Sequence, residues 1–352
     1  MLPRVVPATA SSSLRERRIP FTAGDGFQCN LINVRGEAPP VRGPVLVLHG
    51  AGVRAEIFRP PTTPTIVDVL VAEGYDVWLE NWRGSIDLAI NPWTLDQAAV
   101  YDHPAAIRRV VEETGCTKLK ALVHCQGSTS FFMAAMSGLT PEVTTIVSNA
   151  VSMHPVIPTP AVMKLQCVQA FGYLSAYMNP QWGLAAPTLP AKFIDAMVRL
   201  THHECDNPVC KHVSFTYGWG FPSLWTHENL PPEVHNWITH EFAQCPVAFF
   251  VQMRRSVRAG RILPAEPRRE LPADLFVGPP RSDARVAFFA GEDNHCYLPD
   301  SQVRSFEYLD RLRPGYHTLH VIPGYGHLDV FLGKNAARDV FPLMVQELNR
   351  DS

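Results

Sequence analysis

The chain of 352 residues lacks several features that would settle its class at once. No stretch offers the ~18 consecutive uncharged apolar residues that a membrane-spanning helix needs, so none is expected. Met1 to Arg18 has no continuous apolar run. Val5 and Val6 give way to Pro7, a serine cluster, and then Arg15, Arg17 and Arg18, a pattern of neither a signal peptide nor a membrane anchor. Basic blocks are missing and the net charge is −2, which argues against nucleic acid or an anionic membrane surface as a partner. There is no internal repeat and no low-complexity tract. Without an export signal, the 8 scattered cysteines read as reduced thiols of a cytoplasmic protein.

What is present points to a large folded unit. Hydrophobic residues make up 46% of the chain, enough for a sizeable core. Its 32 prolines gather at 155–160, 180–190, 222–232 and 264–280, which implies long ordered loops. Phe21 to Val34, broken by Gly24-Asp25-Gly26, reads as a hairpin. Pro44–Leu48, Tyr75–Leu79, Leu119–His124, Val143–Val147, Arg285–Phe289 and Tyr316–Ile322 read as strands. The short unbroken apolar runs among them suit strands buried on both faces. Helical spacing covers Thr65–Glu73, Leu95–Thr114 with Pro104 as a break or restart, Ser128–Leu139, Ser301–Leu312 and Asn335–Leu348. This alternation predicts an α/β fold, a mainly parallel sheet with helices on both faces. Residues 1–152 and 253–352 would form this core. Residues 153–252, rich in proline, aromatics and histidine, would form an inserted cap over the strands' C-terminal edge, where sites in open α/β sheets lie.

The most informative residues are Val123-His124-Cys125-Gln126-Gly127. Strand, sharp turn and helix is the setting of the G-x-S-x-G nucleophile elbow, with cysteine where serine is usual and Val123 in place of the first glycine. A cysteine at a strand end is often just a buried thiol; the elbow setting favours a nucleophile. A helix N-terminus is expected to lower its pKa, and the Gln126 N–H would face an oxyanion. A second donor is expected from the loop His49-Gly50-Ala51-Gly52, at Ala51 or Gly52. His327, in Pro323–Asp329 after the last strand, would be the base. Asp293, in Gly291-Glu292-Asp293-Asn294-His295, would hold the imidazole tautomer, with Glu292 and Asn294 as alternatives. Ser128, a turn into the helix, is a poor alternative nucleophile.

Together these residues resemble the α/β-hydrolase superfamily over most of the chain outside the cap. Gly74 to Gly84, GYDVWLENWRG, resembles the corresponding stretch of acid lipases. His124–Ser128, Glu204–Cys210 and Pro323–Asp329 are similar to the α/β-hydrolase-like domain that follows flavin-dependent GMC oxidoreductases of the cholesterol-oxidase type. The chain has no dinucleotide fingerprint of its own, so this likeness implies an oxidoreductase partner rather than a flavin domain within it. A cysteine nucleophile is similar to those of dienelactone hydrolases and of polyhydroxyalkanoate synthases, which are acyltransferases. The resemblance implies a triad of Cys125, Asp293 and His327.

The expected activity is cleavage of an ester, lactone or thioester through a thioester on Cys125. Transfer of the acyl group to a hydroxyl, amine or thiol is the first alternative, and a catalytically retired binding domain the second. The Met, Phe, Trp and Leu content of the cap suggests a small apolar acyl substrate. Tyr217, Trp219, Phe221 and Trp225 would pack the cap core or line its pocket. Arg83 would brace the loop beside the nucleophile or form a surface ion pair. His203, Cys205, Cys210 and His212 offer soft ligands, but the spacing H-x-C-x4-C-x-H matches no standard finger. Plain packing is the reading taken, with a Cys205–Cys210 disulfide as another option, so neither a metal nor a cofactor is expected.

Overall fold

The computed structural model describes residues 14–350, so the expectation for Met1 to Arg18 falls largely outside the described residues. The strands are β1 (Arg15–Thr22), β2 (Gln28–Arg35), β3 (Pro44–Leu48), β4 (Asp76–Asn81), β5 (Leu119–His124), β6 (Val143–Asn149), β7 (Tyr177–Met178), β8 (Cys245–Pro246), β9 (Arg285–Gly291) and β10 (Thr318–Ile322). Eight of them form one sheet in the order β1-β2-β4-β3-β5-β6-β9-β10, and β7 pairs with β8 apart from it. β1, β2 and β4 pair antiparallel, while every neighbour from β4 to β10 is parallel. Every residue of β3 and β4 is buried, as strands covered on both faces require. The sheet carries the α/β-hydrolase architecture expected from the sequence.

The chain runs from β3 outward to β4 on one side, then returns to β5 and proceeds outward to β6 on the other. The order therefore reverses between β3 and β5, and that crevice is where open α/β sheets place their sites. The loop after β3 and the elbow after β5 both open there.

The long helix after β4 shows how its proline is accommodated. It is helical over Leu95–Gln97, widens to a π turn at Ala98–Asp102, and resumes over His103–Thr114 with Pro104 near its start. Proline offers no N–H and would crowd the carbonyl one turn back, so a wider turn relieves the misfit. The π turn also delivers two buried polar groups. Asp102 accepts from the Arg83 guanidinium at 2.7 Å and from the Arg83 backbone N–H at 2.9 Å. His103 bridges Glu80 and Ser130, each at 2.8 Å.

Arg83 is thus no surface residue. It also pairs with Asp25 of the β1–β2 turn at 2.7 Å and lies over the Phe27 ring. It ties the hairpin to the loop beside the elbow, and next to it the Trp82 indole donates to the His49 carbonyl at 3.0 Å.

No strand of the main sheet arises between Asn149 and Arg285. This region contains the helices Thr159–Gln166, Leu189–Thr201, Pro208–Tyr217 and Val247–Ala259, the last running across position 252. The expected closing helix is split into Ala336–Asp339 and Phe341–Asn349, with Pro342 in the first turn of the second piece. No helix among the described residues is long and apolar enough to cross a membrane.

Replacing Arg83 by Ala would leave Asp102, 0% exposed, without its counter-charge. Urea denaturation should report a loss of about 3–5 kcal/mol, and an Arg83→Ala, Asp102→Asn double variant should recover part of it.

Candidate active site

β5 ends at His124, and Cys125 turns the chain with φ of 55°, a left-handed conformation that costs a non-glycine residue on the order of 1–3 kcal/mol. The helix Cys125–Met136 starts at this residue, three positions before the expected Ser128. Two close approaches make the turn feasible. A Cβ on Gly127 would sit 2.1 Å from the His49 carbonyl oxygen, and one on Gly50 would sit 2.9 Å from the Cys125 Cβ. Both positions need glycine for contact, so the β3 loop and the elbow are pressed together.

That contact sets the donors. The Gln126 and Ala51 backbone N–H groups reach the Cys125 sulfur. Gly52 is engaged otherwise: its carbonyl accepts from Ala243 N–H at 3.0 Å, and a Cβ on it would sit 2.1 Å from the Tyr217 hydroxyl. The two expected donors, Gln126 and Ala51, therefore flank the sulfur, and Gly52 faces the insertion. The Gln126 side-chain amide donates to the Tyr297 hydroxyl, a partner the sequence did not suggest.

The thiol itself departs from expectation. Burial pushes its pKa up to about 12 and outweighs the pull of the Gln126 and Ala51 N–H groups. A helix N-terminus lowers a thiol pKa in contact with water; here desolvation is the larger effect.

His327 follows β10 and is 1% exposed. One of its ring nitrogens and one from His124 lie within 4.8 Å of the Cys125 sulfur and of each other. Its Nε2 is buried with no hydrogen-bond partner among the described residues. The loop is held from the region between β6 and β9: the Leu224 carbonyl accepts from His327 N–H at 3.1 Å and from Leu328 N–H at 2.8 Å. Asp329, fully buried, accepts from Gly326 N–H at 2.7 Å, Asn229 Nδ2 at 2.8 Å and Thr226 N–H at 3.2 Å. Asn149, at the end of β6, donates from Nδ2 to His124 Nδ1 at 2.9 Å and to the His327 carbonyl at 3.1 Å.

The residue that meets the imidazole is Asn294, not Asp293. Asp293 and Glu292 are both exposed; their backbone N–H groups bond to Tyr325 and Ile322 carbonyls, and their carboxylates make no ion pair or hydrogen bond among the described residues. Asn294 is 1% exposed and its Nδ2 lies 3.1 Å from His327 Nδ1. Its Oδ1 accepts from the backbone N–H groups of Cys296 at 2.9 Å and Tyr297 at 3.1 Å. Those donors fix which way the amide points. Nδ2 must donate to His327 Nδ1, which leaves the neutral imidazole proton on Nε2. The turn after Gly291 accounts for the difference of one position: it folds Asn294 inward onto its own following N–H groups, an Asx-type arrangement.

Two pockets meet at the sulfur. One encloses ≈ 520 Å³, part of it open to solvent, and is lined by Cys125, Ile157, Leu165, Phe249, Phe250 and Met253 among others. The other, ≈ 300 Å³, lies between Cys125, Ala51, Leu224 and His327. Tyr217 and Cys296 line both. Of the aromatic run, Tyr217 thus reaches the pocket and Trp225 is buried, while Trp219 and Phe221 are exposed. Lys164 faces the larger pocket, its amine bonded to the carbonyls of Phe215 and Gly218, and burial lowers its pKa to about 8. Ser128 bonds to Ser148 at 2.6 Å, away from the reacting position.

The alpha/beta hydrolase fold profile matches residues 43–334, and the chain belongs to this family. It is 31% identical over 131 residues to sterol esterase 2 of Saccharomyces cerevisiae, covering 32% of this chain and 24% of the esterase. It is 22% identical over 306 residues to the gastric triacylglycerol lipase of Rattus norvegicus, covering 80% of this chain and 74% of the lipase. For the esterase, the chain spans only about a quarter of the relative's length. The structure of a thermophilic esterase from Thermogutta terrifontis superposes with a TM-score of 0.58 at 14% identity, covering 95% of this chain and 100% of that one; this supports the fold.

An Asn294→Asp variant should place a carboxylate against His327 Nδ1, favour the Nδ1–H tautomer and stabilise the imidazolium. Iodoacetamide modification of Cys125 at neutral pH should then be faster than in the parent by about tenfold or more. An unchanged rate would mean that the amide does not set the tautomer.

Burial also fixes the pH behaviour. It lowers the His327 pKa from 6.5 to about 3, and it is the first cause of the His124 pKa falling well below the usual histidine range. In the unfolded chain both rings protonate first as pH falls. The stability they contribute is complete above pH 6.5 and is lost as pH drops towards about 3. Urea midpoints taken from about pH 7.5 to about pH 4 should decline, with His327 alone costing on the order of 3 kcal/mol. His327→Gln should make the decline shallower.

Proposed function

We propose that the chain is a cysteine-dependent acyl-cleaving enzyme, with Cys125 as nucleophile, His327 as base and acid, Asn294 as the group orienting it, and the Gln126 and Ala51 N–H groups as the oxyanion hole. The observation that carries this reading is the elbow: a strained left-handed Cys125 with two backbone donors at its sulfur and a His327 ring nitrogen within 4.8 Å of it. The kinship with esterases and lipases supports an ester as substrate.

The sulfur attacks the acyl carbonyl, and the developing oxyanion takes the two N–H groups. The thiol proton goes to His327 Nε2, which must first be free. The imidazole proton then sits on Nδ1, and the Asn294 amide turns to offer Oδ1. That turn removes Oδ1 from two backbone N–H groups, at about 1–3 kcal/mol each if left unmet. The free enzyme therefore rests with a neutral, quiet thiol, and substrate binding supplies the energy of the switch. His327 protonates the leaving group, and water releases the thioester.

Transfer to another acceptor is the second reading, favoured by the apolar lining of the larger pocket, which disfavours water. It predicts amide or ester products when an amine or alcohol is added to the acyl-enzyme.

Incubation with p-nitrophenyl esters and acyl thioesters of increasing chain length should add one acyl mass to Cys125, detected on the intact protein and mapped by digestion. Cys125→Ala should show neither adduct nor turnover. Cys125→Ser should lose roughly 10²–10⁴-fold in turnover, because a buried imidazole must then deprotonate a far weaker acid. Turnover that survives in Cys125→Ala would rule the proposal out.

A further inference from the structure

The insertion gathers four soft ligands that the sequence separates. The sulfurs of Cys205 and Cys210 and one ring nitrogen each of His227 and His235 all lie within 4.8 Å of one another. The spacing is C-x4-C-x16-H-x7-H. Two of the ligands anticipated from sequence are elsewhere: His203 is exposed and its Nε2 bonds to the Leu200 carbonyl at 3.0 Å, while His212 pairs with Asp195 at 3.0 Å. His227 and His235 stand in their place.

We propose that these four side chains hold a structural zinc ion. In a tetrahedral site, with metal–sulfur and metal–nitrogen bonds of about 2.3 and 2.0–2.1 Å, a sulfur and a nitrogen sit about 3.6 Å apart. Cys210 Sγ and His227 Nε2 are 3.4 Å apart. The rings of His227 and His235 stand 4.9 Å apart at 88°, so they converge from different directions instead of stacking. His235 Nε2 is closed off from solvent and, among the described residues, has no oxygen or nitrogen partner, only the soft ligands of the cluster around it, an arrangement that costs free energy unless something binds it. All eight cysteines are free, so no disulfide accounts for the Cys205–Cys210 pair. Two thiolates and two imidazoles suit zinc over magnesium or calcium, and the two thiolates balance its charge.

The surrounding structure orients the ligands in advance. Asn207, between the two cysteines, caps the helix Pro208–Tyr217 through Oδ1, which accepts from Val209 and Cys210 N–H groups at 3.0 Å. Its Nδ2 donates to the His235 carbonyl at 2.7 Å. One asparagine thus fixes the turn that carries the cysteines against the helix Pro232–Trp237 that carries His235. With four protein ligands the ion would have no open position, so its role is structural and stands whether or not Cys125 cleaves esters. The stretch between Cys210 and His227 includes Leu224 and Thr226, which hold the His327 loop. A metal at His227 would anchor that stretch.

The full-length protein, purified without chelator, should contain one zinc per chain by inductively coupled plasma mass spectrometry. Reconstitution with cobalt should give the visible bands of a tetrahedral thiolate site. Cys205→Ser and His235→Gln should lose the metal, whereas His203→Gln and His212→Gln should retain it. Stripping zinc from the parent protein with a chelator should lower its melting temperature by several degrees, and adding zinc alone should restore it; this readout does not depend on any variant folding. Parent protein that neither contains nor takes up a stoichiometric metal would overturn the proposal, as would a mass and thiol count showing a Cys205–Cys210 disulfide.

Discussion

The contact between the β3 loop and the elbow is the constraint on which the site rests. Cys125 adopts its left-handed φ only because Gly127 lets the helix lie against the His49 carbonyl and Gly50 lets the loop lie against the cysteine. The same contact brings Ala51 N–H to the sulfur. Trp82 holds the His49 carbonyl from the far side, and Arg83 beside it is clamped by two carboxylates. Beneath the elbow, Ser130 on the helix that starts at Cys125 joins His103 and, through it, Glu80 of β4. Three strand ends and one helix are therefore locked around a single strained residue. Strain of this kind persists only where the surroundings over-determine it.

Burial then decides the electrostatics. The thiol and the neighbouring imidazoles are all driven toward their neutral forms, with desolvation the leading cause for each. An exposed thiol at a helix terminus would lean toward thiolate; this one does not. Asn294 reinforces the neutral state, because its amide N–H meets the nitrogen that an imidazolium would need for its own proton. Chemistry in such a site depends on what enters it.

The parallel strands were legible because they are short apolar runs with no competing period. Pro44–Leu48 and Leu119–His124 match their predicted bounds, and β6 and β9 differ only at their C-terminal ends. Cys125 and His327 were legible from position, each following a strand at one sheet edge. Asn294 stands among the acid-position alternatives in the sequence, but preferring it to Asp293 requires the path of a four-residue turn, which composition does not carry. His227 and His235 were not legible as ligands because proximity there arises from how three short helical segments fold back on one another. The sign of the thiol shift was also out of reach: a helix terminus can be read from sequence, but the degree of desolvation depends on the packing of distant segments. Asn149 left no signal, because β6 already carries Thr144, Thr145 and Ser148.

The region between Asn149 and Arg285 divides into two parts with different ties to the main sheet. The part that carries Leu224, Thr226 and Asn229 makes five hydrogen bonds to the His327 loop, through the Leu224 carbonyl, the Asp329 carboxylate and the Gly324 carbonyl. The part that carries the helices Thr159–Gln166 and Val247–Ala259 lines the larger pocket with Ala161, Leu165, Phe249 and Phe250 and takes no share in those bonds. Displacing the first part would drag the histidine out of register with the sulfur. Displacing the second would widen the pocket and leave that register intact. The architecture thus separates the doorway from the clamp: the mouth of the pocket can vary in width and lining while the sulfur and the imidazole keep their spacing.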